Sequence, residues 1–451
     1  MTDLIVDECG KLNLNKIKES LELAETLAKV SLMTPTSAKQ RLVARGIELK
    51  FGHMDANSGV FVPPKELLMY LVRMGSFSSA PKILNDDIQD NDLVLPKNIS
   101  RNELLQHCQK QIRVGHPIFK RHFKKVDGHN GQDYGFKFRK LNAVTKGCSD
   151  YITNPNSLRV FQWNILSQAL GQMNDHFEKC PDEALEWNHR KFYIIEEIVE
   201  YCPDVICLQE VDHFNFIKNI LKTQGYTGLF FPKPDSPCMY IHGNNGPDGC
   251  AIFYRTDKFE LINSESRILE IWRVQSNQVA LLVNLKIKET GQEVCITTTH
   301  LKARKGALLS TLRNEQGKDL LNFVAENSGH RPVVLCGDFN AEPVEPVYST
   351  IINSQNLEIS SAYADCNNSN IGSAEREPPY TTWKIRDEGE ICHTIDYIFY
   401  TKNNLEVESV LEFPTGEEIG ENRIPSFSYP SDHFSLVADL KIGVNQTVTK
   451  L

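Results

Sequence analysis

The stretch Val333-Val-Leu-Cys-Gly-Asp-Phe-Asn340 decides how this chain is read. Four apolar residues make a short strand of the kind that sits inside a sheet, and the run then breaks into Asp338 and Asn340. Upstream, residues 308–327 have the apolar spacing of a long amphipathic helix, and residues 294–299 read as an earlier strand ending on His300. Strand, helix and strand in succession predict an α/β or α+β domain. The same texture runs outward. Strands are predicted over 158–163, 205–208, 226–231, 251–254, 278–287, 395–400 and 436–440. Helices are predicted over 189–201, closed by Pro203, and over 214–221.

Polar residues recur at the ends of these apolar strands. Asn164, Glu210, His300, Asp338 and Asn340 each follow one, Asp396 opens one, and Asp432 and His433 precede another. A single residue of this kind is ordinarily a loop residue. Six such sites in one domain predict a shared cleft, because strand ends facing the same way build one. The residue types suit phosphoryl transfer. Asn164 and Glu210, with Asp432 as a further candidate, are hard oxygen ligands of the kind Mg2+ takes, and no His/Cys cluster suited to zinc is present. Asp338 can orient or deprotonate a water, and Asn340 points the same way if the strand continues extended. His300 and His433 can donate to phosphate oxygens. Asp396 can fix the tautomer of His433 and favour its charged form.

Trp163-Asn-Ile-Leu, Leu208-Gln-Glu-Val, Thr299-His-Leu-Lys-Ala-Arg304, Gly337-Asp-Phe-Asn340 and Ser431-Asp-His433 occur in that order. Together they resemble the endonuclease/exonuclease/phosphatase superfamily, which takes in deoxyribonuclease-I-like enzymes, inositol polyphosphate 5-phosphatases and deadenylases. The resemblance implies a four-layer sandwich, two packed mixed sheets flanked by helices. It implies Mg2+, with Mn2+ as a substitute, on Glu210 with Asn164 nearby, Asp338 as base and an Asp396–His433 pair. Longer matches narrow it to the nocturnin branch over about residues 158–442: Gln209-Glu-Val-Asp-His213, Phe231-Pro-Lys-Pro, Asn244-Asn-Gly-Pro-Asp-Gly249, Pro378-Pro-Tyr-Thr-Thr-Trp-Lys-Ile-Arg386 and Tyr429-Pro-Ser-Asp-His433. That branch implies removal of the 2′-phosphate of NADP+ and NADPH, giving NAD+ and NADH, and an association with daily rhythms and metabolism. Through it Lys233, Asn277, Lys302, Arg304 and Arg386 become expected substrate contacts, beside Glu210, Asp338, Asn340 and His433.

The net charge of −9 is uneven: −1 over residues 1–100, +7 over 101–150 and −15 over 151–451. An acidic domain is a poor partner for a long polyanion, whose non-specific binding rests on phosphate neutralisation, whereas a small anion can bind in a local basic pocket. The insertion Trp383-Lys-Ile-Arg386 stands where the superfamily's deadenylases have a short apolar link. It is expected to narrow the cleft, with Trp383 packing rather than stacking on adenine and Arg386 binding phosphate in a fork. NADP(H) is therefore the expected substrate. A poly(A)-specific 3′ exoribonuclease would need residues 101–150 to supply the missing positive groove. A non-catalytic binding module is a third reading, at odds with the complete set of catalytic side chains.

Outside the catalytic domain, residues 1–100 read as a partly disordered extension with one amphipathic helix over 16–30 and a linker over 76–100. Residues 101–157 read as a basic helical and linker segment, with a helix over 101–115 and anchoring aromatics such as Phe119 and Phe123; residues 443–451 read as a tail. No stretch approaches the ~18 uninterrupted apolar residues of a membrane span. The start of the chain has neither a secretory signal nor the Arg-rich, acid-poor character of a mitochondrial presequence. The 12 cysteines include no C-x-x-C pair and read as buried free thiols. The expectation is a cytosolic protein, with mitochondria less favoured, and a monomer, since no coiled-coil heptads appear.

Overall fold

The strand Ser157–Asn164 carries apolar residues on both faces, and each face enters a different core. Leu158 and Val160 lie between two sheets, whereas Phe161 and Trp163 face a layer of helices. The computed structural model describes residues 95–96, 99–112, 115–126 and 155–443, less 174, 241–243 and 368–371, with the backbone of a ribbon pairing His53–Met54 and Phe61–Val62.

From residue 99 onward the principal elements are α1 (Arg101–Gln111), β1 (Phe123–Lys125), β2 (Ser157–Asn164), α2 (Trp187–Glu200), β3 (Val205–Val211), α3 (Phe214–Thr223), β4 (Tyr226–Pro232) and β5 (Gly249–Arg255). They continue with β6 (Phe259–Ile271), β7 (Val274–Ile287), β8 (Glu293–His300), α4 (Ala307–Ser328), β9 (Val333–Asp338), α5 (Pro346–Ile352) and β10 (Ile359–Ser361). The last are β11 (Thr382–Arg386), β12 (Gly389–His393), β13 (Asp396–Thr401), β14 (Leu405–Leu411) and β15 (Leu436–Ile442).

One sheet has seven strands in the order β1-β14-β15-β2-β3-β5-β4, the other six in the order β10-β13-β9-β8-β7-β6. Each holds one parallel pair, β2 with β3 and β8 with β9, among antiparallel neighbours. Val160, Cys207 and Ile252 from one sheet meet Val283, Ile296 and Val334 from the other. Helices α2 and α3 cover the outer face of the larger sheet through Ile194, Ile198, Ile217 and Leu221. Helices α4 and α5 cover the smaller one through Leu320, Phe323, Val347 and Ile351. Each fully buried aliphatic side chain contributes roughly 1.5–3 kcal/mol. The architecture is the expected four-layer sandwich.

The predicted strands and helices of the domain are all present, most of them a residue or more longer. Unpredicted are β1, β6, α5, β10, β14 and the β11–β12 hairpin. Strand β6 is an edge strand exposed along much of its length, so its sequence carries no apolar alternation to read.

Residues 99–112 and 115–126, most of them in the segment read as basic helical and linker, pack onto the sandwich. The expected helix over 101–115 is α1, which opens with a capping box between Ser100 and Glu103 and buries Leu104, Leu105 and Cys108 in the α2–α3 layer. Strand β1 pairs with β14, and Phe119 stacks on Tyr429. Arg121 is sealed inside: its Nη1 donates to Glu197 Oε1 at 3.1 Å and to Ser435 Oγ at 2.8 Å, and its Nε to Glu412 O at 2.8 Å. The helix expected over 16–30, most of the linker over 76–100, residues 127–154 of the basic segment and the tail beyond 443 lie outside the described residues. Ten cysteines are described, none in a disulfide and eight of them buried. No helix among the described residues is long and apolar enough to cross a membrane.

Removing one partner of a buried, hydrogen-bonded ion pair leaves an uncompensated charge, at a cost of about 3–5 kcal/mol. Arg121→Ala is therefore expected to lower unfolding stability by about that amount in urea titrations. A loss below about 1 kcal/mol would make this segment peripheral to the fold.

Candidate active site

The parallel pairs of the two sheets end side by side, and their last residues meet. In the smaller sheet His300 is in register with Asp338, and Asp338 with Asp396 on the adjoining β13. In the larger sheet β2 ends on Asn164, while β3 is interrupted by a bulge at Glu210, which holds φ at +55°. Beneath them the apolar inter-sheet layer gives way to amides: Gln162 and Gln209 exchange two hydrogen bonds of 2.7 Å, and Gln209 also donates to Thr298 at 2.8 Å.

Asn164 joins the two halves. Its Nδ2 donates to Glu210 Oε1 at 3.0 Å and to Asp338 Oδ2 at 2.9 Å. Its Oδ1 accepts from Leu166 N–H at 3.0 Å, so the amide presents donors to the carboxylates rather than the ligand oxygen expected of it. The second oxygen of Glu210 accepts from Ser167 N–H at 3.1 Å. Asn340 departs from expectation too. The chain leaves the extended conformation after Asp338, Asn340 has φ +50°, and its side chain donates to Leu301 O while its N–H donates to Asp338 Oδ1 at 2.8 Å.

The two histidines are in opposite electrostatic states. His433 Nδ1 lies 2.8 Å from Asp396 Oδ2, as expected, and its Nε2 lies 3.8 Å from Asp338 and 3.7 Å from Asp432. Burial works against its charge, but Asp396, Asp432 and Asp338 outweigh it and carry the imidazole up to about 9. His300 is pushed well below the ordinary histidine range by burial, then by Lys233 and His433. Lys233 Nζ sits 3.3 Å from His300 Nδ1, which makes that nitrogen the acceptor and leaves Nε2–H directed at Asp338 Oδ2, 3.4 Å away.

The donor set fits a divalent cation. Burial pushes Glu210 up to about 7 despite Lys233, and burial with Asp396 pushes Asp338 up to about 6. Asp396 Oδ1 has no hydrogen-bond partner. Asp338, Asp396 and His433 form a group close enough to share an ion. Two of those three are already bonded to each other, so Glu210, with Asp338 beside it, offers the freer oxygens.

The expected substrate contacts divide, and Lys384 joins them beside Arg386. Lys384 and Arg386, two residues apart on β11, face the same way, and both reach Asp432 Oδ2, at 2.5 and 3.4 Å. Asp432 is thereby held well below the usual carboxylate range, burial notwithstanding. Trp383 points to the other face, where Arg423 covers its ring at 4.1 Å, so it packs as expected. Lys302 is lowered by burial, then by Lys233 and Arg304; Arg304 is exposed. Lys233 is paired to Asp248 at 2.7 Å, and its other neighbour is His300, so its place is behind the imidazole. Asn277 holds Asp235 at both ends of its amide, accepting from the N–H at 2.8 Å and donating to the carbonyl, and so anchors the loop after Lys233. Sequence reasoning missed Ser167, Asp248 and Asp175. Asp248 stood within the Asn244–Gly249 motif, whereas Ser167 and Asp175 carried no local signal.

Replacing Asp396 by Asn removes the anion facing the imidazole, which disfavours the charged form. Asp396→Asn is expected to bring His433 down from about 9 toward 6.5, read by NMR titration of the metal-free protein. An imidazole still titrating near 9 would assign the effect to Asp432 and Asp338 instead.

Comparison with known proteins agrees with this geometry. The profile of the Endonuclease/Exonuclease/phosphatase family matches residues 161–433. Nocturnin of Drosophila melanogaster is 52% identical over 93% of this chain and 72% of its own length. Nocturnin of Homo sapiens is 46% identical over 76% of this chain and 73% of its own. The solved human Nocturnin catalytic domain, with bound sulfate anion, superposes with a TM-score of 0.53 at 42% identity, covering 64% of this chain and 96% of that one. With strand-end acids and histidines in one cleft and these likenesses around it, the chain belongs to the endonuclease/exonuclease/phosphatase family and, within it, to the nocturnins.

Proposed function

We propose that the chain is a Mg2+-dependent phosphatase that removes the 2′-phosphate of NADP+ and NADPH, leaving NAD+ and NADH. Family membership makes it a metal-dependent phosphoester hydrolase. The observation that carries the finer reading is the confinement of positive charge. Lys233, Lys384 and Arg386 are held in ion pairs at one end of the sandwich, while residues 151–451 carry −15 overall. A long RNA requires a continuous basic track; a phosphorylated dinucleotide requires a few fixed donors.

In this reading Glu210 holds Mg2+, and Asn164 keeps Glu210 and Asp338 in register from two donors. The bound cation supplies neutralisation of the phosphoryl oxygens and a more acidic water. Asp338 accepts a proton from the attacking water; its raised carboxyl suits that task, and Asn340 N–H fixes its other oxygen. His433, charged through Asp396, donates from Nε2 to the phosphoryl oxygens. His300 acts as a neutral donor whose tautomer Lys233 sets. Lys302, Arg304, Lys384 and Arg386 receive the remaining phosphates, with Arg386 able to bind in a fork.

Purified protein with Mg2+, given NADPH, NADP+ and a poly(A) oligonucleotide in parallel, is expected to release phosphate from the dinucleotides and leave the RNA uncut. Glu210→Ala should lower that release by about a hundredfold or more, and chelation of the metal should do the same. Arg386→Ala should raise KM for NADPH by about tenfold, the value of one charge-assisted hydrogen bond. RNA shortening with NADP(H) left intact would return the protein to the deadenylase reading.

A further inference from the structure

Arg386 is gripped from more than one side by a short strap that the mechanism leaves unused. Residues 175–178 follow the helix Gln168–Met173 and run beside β11. Asp175 Oδ1 lies 3.0 Å from Arg386 Nη2. The Phe177 ring lies beneath the guanidinium, its centroid 5.3 Å from Cζ. Phe177 and Arg386 pair as an isolated antiparallel bridge, and Glu178 N–H donates to Ile385 O at 3.1 Å. Between the two contact residues His176 holds φ at +46°, a conformation that persists in a non-glycine residue only where its surroundings over-determine it.

The arrangement places a puzzle beside the cleft. Asp175 adds a carboxylate next to Asp432, whose Oδ2 is 3.4 Å from the same Nη2 and 3.7 Å from His433 Nε2. Each carboxylate repels an anionic ligand. Arginine, however, has a long, rotamer-rich side chain, and a guanidinium fixed in advance loses less freedom when a phosphate arrives. A cation held by one carboxylate and one aromatic face is fixed in both direction and plane.

We propose that Asp175, with Phe177, is a positioning residue that fixes the Arg386 guanidinium for a second phosphate of the substrate, one that is not released. The strap thereby sets the preference for a dinucleotide over a monophosphate. This inference rests on the phosphatase reading for the identity of that substrate. Asp175 itself touches no substrate and acts only through Arg386.

The test compares kcat and KM for NADPH and for adenosine 2′-monophosphate in Asp175→Ala, Asp175→Asn, Phe177→Leu, Arg386→Ala and the Asp175→Ala/Arg386→Ala double variant. Asp175→Ala is expected to raise KM for NADPH about tenfold and to move KM for the monophosphate by less than about twofold. Asp175→Asn should restore KM to within about threefold of the wild type, because its amide oxygen still accepts from Nη2. The double variant should be no worse than Arg386→Ala alone. A fall in KM for both Asp175 variants would make the carboxylate a repulsive mask and overturn the proposal. So would an Asp175→Ala effect that is equal on the two substrates, or one that survives in the Arg386→Ala background. If Asp175→Ala does not fold, as thermal melting would reveal, Phe177→Leu must by itself raise KM for NADPH severalfold, and wild-type behaviour there overturns the idea. Absence of phosphate release from NADPH by the wild type would defeat the dinucleotide reading separately. The strap is then judged on the oligoadenylate, where Asp175→Ala must raise KM and Asp175→Asn restore it.

Discussion

Five carboxylates, those of Asp175, Glu210, Asp338, Asp396 and Asp432, are crowded at one end of the sandwich, and the surroundings are arranged around that charge. An isolated buried carboxylate costs several kcal/mol, and like charges raise the cost further. Compensation is local. Lys384 and Arg386 meet Asp432, Arg386 also meets Asp175, and Asp396 faces His433. Glu210 and Asp338 receive only neutral donors from Asn164, Ser167 and Asn340 at hydrogen-bond distance, and both are pushed upward as carboxylic acids. The remaining deficit of positive charge sits at Glu210 and Asp338, where a cation would be held. Fold and chemistry are linked at this point, because parallel pairs in two facing sheets are what bring those strand ends together.

The site is also supported from behind. Trp163 Nε1 donates to His433 O at 2.6 Å, and Ser431 Oγ donates to Asn164 O at 2.6 Å, so the segment carrying Asp432 and His433 is tied to the end of β2. Two residues beyond His433, Ser435 joins the buried Arg121–Glu197 pair. A residue from the basic stretch before the domain thus braces the segment that carries His433. Its charge, counted in the sequence as available to an anionic partner, is neutralised inside the fold.

Much of this was legible in the residues. The strands that supply Glu210, His300 and Asp338 are buried on both faces, so the runs at 205–208, 294–299 and 333–336 announce themselves, and the polar residue that ends each run is conspicuous. The exposed edge strand β6 and the hairpin β11–β12 have no such contrast. Asp175 and Ser167 were invisible for a different reason: their importance lies in partners far away in sequence, Arg386 and Glu210. Lys233 stands beside His300 and Asn277 holds Asp235, and sequence does not tell a cation that touches substrate from one that polarises a neighbouring imidazole, or an amide that binds from one that anchors a loop.

Glu210, Asn340, Arg304 and His176 all hold left-handed backbone angles, and all four border the cleft or the strap beside it. Each such angle stores strain of order 1–3 kcal/mol in a residue that is not glycine. The same four positions are therefore the places where a mutation could most readily make the molecule sturdier while making it a poorer catalyst. Durability and turnover would then draw on the same few backbone torsions, which the packed sandwich around them keeps bent.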